Sequence, residues 1–243
     1  MMWRFRISRV VFTIVQRMLC RLVVIGRENI PTEGPYILVV NHLSTADIGI
    51  VFVGFPSRPW RYFAGEKWAR HWLWGPLMRW LGVIFVDRGE FDRRALREAL
   101  AALANGEAFA LAPEGTRSKV GYMQPAKHGA AYLASQSGVP ILPVGISNTD
   151  ILFAHVRRLR RATITMRIGH PFTLPEPERR VRGSDLENYT TLIMTHIAAL
   201  VEPRHRGVYG DTPALAALLS GNDPWPLCSQ SLISTVDPSP DTP

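Results

Sequence analysis

The sequence predicts a layered α/β domain built around a largely parallel β-sheet, preceded by an N-terminal amphipathic helix. Two observations support this fold class. From residue 22 onward, short β-branched runs alternate with longer segments of helical periodicity, which is typical of parallel strands joined by helices. The chain has 243 residues without an internal repeat, which is enough for one sizeable domain and gives no sign of a second.

The expected elements follow from local periodicity and from turn residues at their ends. Strands are predicted over 22–25, 36–40, 61–64, 83–86, 108–112, 141–146 and 163–168. Helices are predicted over 46–55, 67–80, 92–105, 125–137 and 184–201. We divide the chain into the amphipathic helix (1–21), the α/β domain (22–206) and a C-terminal tail (207–243). The tail is expected to be partly disordered because proline, aspartate and serine accumulate there and periodicity fades.

On a helix, the first residues form a broad apolar face bordered by arginines. The apolar residues are Trp3, Ile7, Val10, Val11, Ile14, Val15, Met18 and Leu22. This pattern favours a helix lying in a bilayer interface over one packed into the protein core. A signal peptide is disfavoured because the apolar run 10–15 is short and no small-residue cleavage site follows it. No apolar run is long enough to cross a bilayer.

The charge and cysteine content limit the kinds of molecule that the protein is expected to bind and the compartment in which it works. The net charge is +8, and only Lys67, Lys119 and Lys127 among the cations are lysines. This surplus favours anionic partners, although a solvated surface accounts for part of it. No zinc-finger, helix-turn-helix or RNA-binding motif is present, so nucleic acid is not expected. Two isolated cysteines make a disulfide framework improbable and fit a reducing compartment.

Segment 36–47 carries the clearest sign of chemistry. A buried strand ends at Asn41-His42, and Asp47 follows five residues after the histidine. Residues five apart on one helix cannot meet, so His42 is expected in the strand-exit turn, facing Asp47 in the first helical turn. A histidine held by a carboxylate is a tuned general base. The structural alternative is a capping box, in which Ser44 and Asp47 only satisfy backbone amides.

Further blocks follow in order. The pattern Asn-His-x-x-x-x-Asp is succeeded by the run 113–118, Pro-Glu-Gly-Thr-Arg-Ser, with a glycine-to-arginine block at 82–88 and a proline-bracketed strand at 139–144. Together these blocks resemble the glycerolipid acyltransferase family, whose best-known members are the 1-acylglycerol-3-phosphate acyltransferases. The resemblance covers roughly residues 23–170 and adds that the sheet is mixed and flanked by helices. Lys67 departs from the family pattern, which has a lysine directly after the residue matching Ala64.

The resemblance implies a set of site residues. The catalytic pair would be His42 and Asp47, and the substrate-binding residues Arg88, Glu114, Gly115, Thr116 and Arg117. The guanidinium groups suit a phosphate because they offer a planar bidentate fork, but they could instead form structural ion pairs. Glu114 could contact acceptor hydroxyls or hold Arg117, and Gly115 could allow close backbone approach or simply make a turn.

The implied function belongs to phospholipid biosynthesis. It is transfer of a fatty acyl group from acyl-CoA or acyl carrier protein to a lysophospholipid hydroxyl, above all that of 1-acylglycerol-3-phosphate, giving phosphatidic acid. No metal or cofactor is expected beyond the acyl donor as co-substrate. The expected location is the cytoplasmic face of the cell membrane, where a peripheral or monotopic protein would meet an anionic surface. The alternatives are another lipid or glycolipid acceptor, or a non-catalytic lipid-binding module.

Overall fold

The computed structural model describes residues 2–55, 60–72, 74–86, 92–176 and 181–228. Its strands are β1 (Cys20–Ile25), β2 (Ile37–Val40), β3 (Trp60–Gly65), β4 (Val83–Val86), β5 (Ala108–Leu111), β6 (Ile141–Ser147) and β7 (Ala162–Ile168). They form one sheet in the order β1-β7-β6-β2-β5-β3-β4. The prediction of a mixed, largely parallel sheet flanked by helices is confirmed.

Helices cover both faces of this sheet. In the described residues they are α1 (Met2–Leu19), α2 (Asp47–Gly54), α3 (Trp74–Trp80), α4 (Arg93–Ala104), α5 (Gly129–Ser137), α6 (Leu152–Arg157), α7 (Gly183–Leu200), α8 (Pro213–Leu219) and α9 (Trp225–Cys228). Side chains alternate along β2, so Ile37 and Val39 pack towards α4, α5 and α7, whereas Leu38 packs towards α2 and α6. The sheet therefore separates two apolar cores.

One antiparallel pairing decides which strand ends meet. β6 and β7 are antiparallel, whereas β1 runs parallel to β7, and β2, β5 and β6 run parallel to one another. The C-terminal ends of β2, β5 and β6 consequently share one edge of the sheet with the N-terminal ends of β1 and β7. We call this the upper edge. Polar side chains that follow β2 and β5 are brought together there, as expected for parallel strands.

The helix predicted over 67–80 is not continuous. Glu66–Trp68 forms a single 3-10 turn, and α3 begins only at Trp74. Pro76 accounts for the late start, because proline lacks an amide hydrogen and is tolerated only in the first turn of a helix. Gly75 is required there as well, since a Cβ at this position would lie 2.5 Å from the carbonyl oxygen of Ala69.

The folded part of the chain continues beyond the boundary predicted at residue 206. Pro213 stands in the first turn of α8, and the Thr212 side chain accepts a hydrogen bond from the amide of Leu215 at 3.2 Å. Ala214, Leu215 and Cys228 are buried where α8 and α9 pack against α7. These helices are too short to show a period in the sequence. Residues 229–243 of the predicted tail lie outside the described residues.

The first helix contacts the domain through a narrow stripe. Ser8 is buried, and the ring of Phe12 stacks on that of Phe52 in α2 with centroids 5.3 Å apart. Leu22 of the predicted apolar face packs against the core, and the edge of the Trp3 ring contacts Trp80 with centroids 5.8 Å apart. The other members of the face are exposed, and they are Ile7, Val10, Val11, Ile14, Val15 and Met18. Within the described residues, no helix is both long and apolar enough to cross a membrane.

Candidate active site

The turn that leaves β2 and the first turn of α2 bring a histidine and a carboxylate together. The Nδ1 atom of His42 lies 2.8 Å from Oδ2 of Asp47. The Asp47 side chain is 3% exposed and that of His42 is 16% exposed. Donation from Nδ1–H to the carboxylate leaves Nε2 as the proton-accepting nitrogen. The predicted meeting of these two side chains across the strand-helix junction is therefore found.

Asp47 also organises the start of α2. Its Oδ2 accepts a hydrogen bond from the amide of Ser44 at 2.7 Å. The bond is not reciprocated by the Ser44 hydroxyl, because the amide of Asp47 donates to the backbone carbonyl of Ser44 at 3.1 Å instead. A full capping box is absent from this turn. One carboxylate oxygen thus serves both the imidazole and the helix entry.

Glu114 holds backbone rather than a cation. Its two carboxylate oxygens accept hydrogen bonds from the amides of His42 and Gln124, each at 2.9 Å. Burial raises the pKa of Glu114 to about 7, although the two amides act in the opposite direction. No ion pair joins the described residues Glu114 and Arg117, so the predicted alternative in which Glu114 holds Arg117 is not found. Glu114 instead fixes the position from which the imidazole projects.

The loop after β5 is tied to the same backbone. The amide of Ser118 donates to the carbonyl of His42 at 2.8 Å, so the two segments are bonded in both directions. Gly115 closes a turn by donating to Ala112 at 3.0 Å and has φ +67°, a conformation that favours glycine. A Cβ at Gly115 would lie 3.1 Å from the Lys127 side chain. Gly115 is therefore a turn glycine that also lets Lys127 pass closely.

A cavity of about 1170 Å³ opens beside the histidine. Its wall carries the cationic residues Lys67, Arg117, Lys119 and Lys127, together with Thr116. The wall also has a large apolar part, which includes Phe12, Trp60, Tyr62, Leu77 and Leu81. The site thus combines a base, cations and an apolar chamber in one space.

The predicted substrate-binding residues have different outcomes. Arg117 and Thr116 are exposed at the cavity wall, and Lys67 lines it too despite its offset in the sequence. Arg88 lies outside the described residues. Among the residues described, no three His, Cys, Asp or Glu side chains cluster closely enough to hold a metal ion.

Several residues support the site, and most of them could not be recognised in the sequence. Asn41 joins β2 to β6 by accepting from and donating to the backbone of Ile146 at 2.8 and 2.9 Å. From the C-terminal segment, the carbonyl of His205 accepts from Met123 at 2.8 Å, and the hydroxyl of Tyr209 accepts from the amide of Ala126 at 3.0 Å. The Asn41-His42 pair was visible as a motif, but the C-terminal contacts have no local signal.

Comparisons with known proteins show which family the chain belongs to. A family model described as Acyltransferase matches residues 21–147. A 1-acyl-sn-glycerol-3-phosphate acyltransferase of Borreliella burgdorferi is 30% identical over 135 residues, which cover 55% of this chain and 54% of that protein. The protein of that name from Saccharomyces cerevisiae is 36% identical over 138 residues, covering 53% and 44%. The human alpha form is 34% identical over 159 residues, covering 62% and 54%.

The chain spans about half the length of these curated relatives. It is also similar to the crystal structure of the 1-acyl-sn-glycerophosphate acyltransferase of Thermotoga maritima. That likeness has a TM-score of 0.61 and 28% identity, and it covers 78% of this chain and 76% of the other. Because the family model spans more than half of the sequence and includes both His42 and the 113–118 loop, the chain belongs to the acyltransferase family.

Proposed function

We propose that this protein transfers a fatty acyl group from acyl-CoA or acyl carrier protein to the free hydroxyl of a lysophospholipid, with 1-acylglycerol-3-phosphate as the leading acceptor. One observation carries the proposal: Nδ1 of His42 is held by Asp47 at 2.8 Å, beside a cavity with cationic and apolar walls. No described residue bonds Nε2. The names of the relatives support the choice of acceptor.

The chemistry is direct transfer by general-base catalysis. Nε2 of His42 takes the proton of the acceptor hydroxyl as its oxygen attacks the thioester carbon. The new C–O bond forms, the C–S bond breaks, and the imidazolium returns the proton to the leaving thiolate. Asp47 holds the tautomer and stabilises the imidazolium. Ser44 does not act as a nucleophile in this scheme, because it is buried and its hydroxyl lies 3.4 Å from the amide of Ala46.

The cationic wall would hold the acceptor phosphate. Arg117 suits this role best because its guanidinium can bind two phosphate oxygens at once. Lys119 and Lys127 lie on the same wall and would add positive charge. The apolar part of the cavity would take the acyl chain, since burying each methylene contributes about 0.8 kcal/mol. Phosphate and chain would thereby place the reacting atoms next to Nε2.

The location that fits this chemistry is the cytoplasmic face of the cell membrane, with the protein bound as a peripheral or monotopic protein. The exposed apolar residues of α1 would enter the headgroup layer of an anionic bilayer. Val10, Ile14 and Met18 are 59%, 55% and 73% exposed, which is costly for a helix that faces only water. Arg6 and Arg17 are exposed on the same helix and would meet lipid phosphates.

The deciding experiment incubates the purified full chain with labelled acyl-CoA or acyl carrier protein and a panel of lysophospholipids. Formation of the diacyl product with 1-acylglycerol-3-phosphate, and its absence with His42→Ala, is the expected result. Turnover only with a different lipid or glycolipid hydroxyl would show that 1-acylglycerol-3-phosphate is not the acceptor, while the acyl transfer itself would stand. Binding of lipid without any turnover, by a folded protein, would instead make the chain a lipid-binding module.

A further inference from the structure

The segment 153–161, which we call the arginine loop, comprises most of α6 and the turn that joins α6 to β7 at the upper edge. Because β7 is antiparallel to β6, it begins at the edge where β2 ends and His42 lies. Ser147, the last residue of β6, pairs with Thr165, so residues 162–164 extend beyond the end of β6. The arginine loop therefore projects past the sheet on the side of the active site.

The arginine loop is also attached to the end of α1. The Arg161 guanidinium donates to the carbonyl of Cys20 at 3.0 Å, and the Gln16 side chain donates to the same oxygen at 2.9 Å. Leu152 and Val156 of α6 pack into the core that also receives Phe12 of α1. The two elements thus lie on the same face of the sheet and meet at its upper edge.

Leu159 occupies a position that normally suits glycine. The amide of Leu159 donates to Val156 at 3.0 Å and that of Arg160 to His155 at 2.9 Å, which is the Schellman pattern of a helix end. Leu159 has φ 54°, and its side chain is 98% exposed. A leucine there is unfavourable in its backbone and in its hydration, and its exposure shows that packing against the described residues offsets neither cost.

Three further arginines lie within two residues of Leu159 in the sequence. Arg157, Arg158 and Arg160 are exposed, and no described carboxylate lies within ion-pair distance of them. The helix dipole favours cations at the end of α6, but its effect fades within one turn and needs no apolar neighbour. Phe153, which is 49% exposed, extends the apolar part of the arginine loop.

We propose that the arginine loop is a second contact with an anionic bilayer, in addition to α1. Leu159 and Phe153 would enter the headgroup layer, and Arg157, Arg158 and Arg160 would bind lipid phosphates. Two contacts on one face fix the orientation of the protein, which a single helix cannot do, and they turn the upper edge with His42 towards the membrane. The inference rests on the proposed function, because an acceptor held in a bilayer makes this orientation useful.

The test measures binding of the full chain to vesicles of phosphatidylcholine with and without phosphatidylglycerol. The charge variant is Arg157→Gln/Arg158→Gln/Arg160→Gln. Its matched control is Arg93→Gln/Arg94→Gln/Arg97→Gln, which removes the same charge from the exposed side of α4 on the opposite face. Each arginine is expected to contribute about five-fold to the affinity for an anionic bilayer. The loop variant should therefore bind anionic vesicles roughly 100-fold more weakly than the wild type, and the control should lose much less affinity.

The contribution of the exposed Leu159 side chain is tested by Leu159→Gly. Glycine relieves the positive φ, so the variant should unfold at the same or a higher temperature while binding both kinds of vesicle more weakly. Equal losses for the loop and α4 variants, or unchanged binding of Leu159→Gly, would overturn the proposal. So would normal vesicle binding combined with a raised KM for acyl carrier protein alone, which would make the arginine loop a docking site for an acidic protein.

The vesicle measurement requires no turnover and therefore stands apart from the proposed reaction. A second assay separates membrane binding from catalysis: it measures turnover of acyl-CoA with a dispersed short-chain acceptor in the absence of vesicles. Loop variants should retain wild-type turnover in that assay, because none of their residues lines the cavity. If the wild-type protein is inactive on every acceptor, the proposed function fails whatever the binding result.

Discussion

Tyr209 accepts a hydrogen bond from the amide of Ala126 at 3.0 Å, so a residue beyond the family-matched segment supports the loop beside the active site. Burial raises the pKa of Tyr209 to about 12, which keeps the phenol neutral at physiological pH. In the same loop, the amide of Met123 donates a hydrogen bond to the carbonyl of His205. The C-terminal segment thus braces the loop that carries Gln124 and Lys127.

Tyr209→Phe should loosen this brace. The amide of Ala126 would lose its acceptor, which costs about 1–3 kcal/mol when the group stays dry. We expect a lower midpoint of urea denaturation and a higher KM for the acceptor, with kcat less affected. Tyr122→Phe is the matched control, because Tyr122 lies in the same loop with an exposed side chain. An unchanged midpoint would show that water replaces the hydroxyl and that no brace exists.

His42→Ala should reduce turnover by at least about 10²-fold while the fold is retained, because no other described side chain on the cavity wall is paired with Asp47. Asp47→Asn should also be severe, since the tautomer of His42 would no longer be fixed. Single-turnover kinetics and circular dichroism measure these effects. His170→Ala, an exposed histidine, is the control. A mild effect of Asp47→Asn would mean that the carboxylate serves only the start of α2.

Arg117→Lys should weaken the response to the acceptor. A lysine ammonium is a point charge and cannot bind two phosphate oxygens in a planar fork. We expect the acceptor KM to rise about ten-fold, with a much smaller change in the donor KM. Arg97→Lys on α4 is the control. Equal changes in both KM values would contradict a phosphate-binding role and indicate a structural one.

Glu114 should make stability depend on pH. Its pKa of about 7 lies above the ordinary value of 4.5, so the folded state binds more protons than the unfolded state between these two limits. This contribution to stability is fully present below pH 4.5 and is lost as pH rises through 7. Over that window it amounts to on the order of 3 kcal/mol.

Glu114→Gln removes this titration. The difference in unfolding free energy between wild type and variant should therefore change with pH across the window, as measured by urea denaturation at several pH values. Activity should fall too, because glutamine offers only one acceptor oxygen to the amides of His42 and Gln124. Parallel stability curves for the two proteins would place the pKa of Glu114 near its ordinary value.

Polar substitutions on the outer face of α1 should weaken membrane binding. Val10→Ser/Ile14→Ser removes two side chains that are 59% and 55% exposed. The control Val208→Ser/Leu219→Ser removes two that are 56% and 54% exposed elsewhere. Vesicle flotation should separate the two variants. Deletion of the helix is a poorer test, because it would also strip Phe12 from Phe52 and destabilise the domain.

Local patterns determined most of the secondary structure. All seven strands lie within two residues of their predicted bounds, because a β-branched run between turn residues is recognisable without its neighbours. The meeting of His42 with Asp47 was likewise predictable, since both belong to one strand-turn-helix unit. The break before α3 and the short helices α6, α8 and α9 were not predicted. Their positions depend on close packing that leaves no period in the sequence.

Contacts between distant segments were decided only by the tertiary structure. Glu114 is 72 residues from His42 in the chain, yet it binds the amide of that residue, and the sequence motif alone suggested a substrate or a cation as its partner. The arginines of 157–161 form a basic run in the sequence, but their place at the edge of the sheet that also carries His42 follows from the antiparallel pairing of β6 and β7. Periodicity records what each segment buries. Strand direction and order, which are set by the whole core, decide which segments meet.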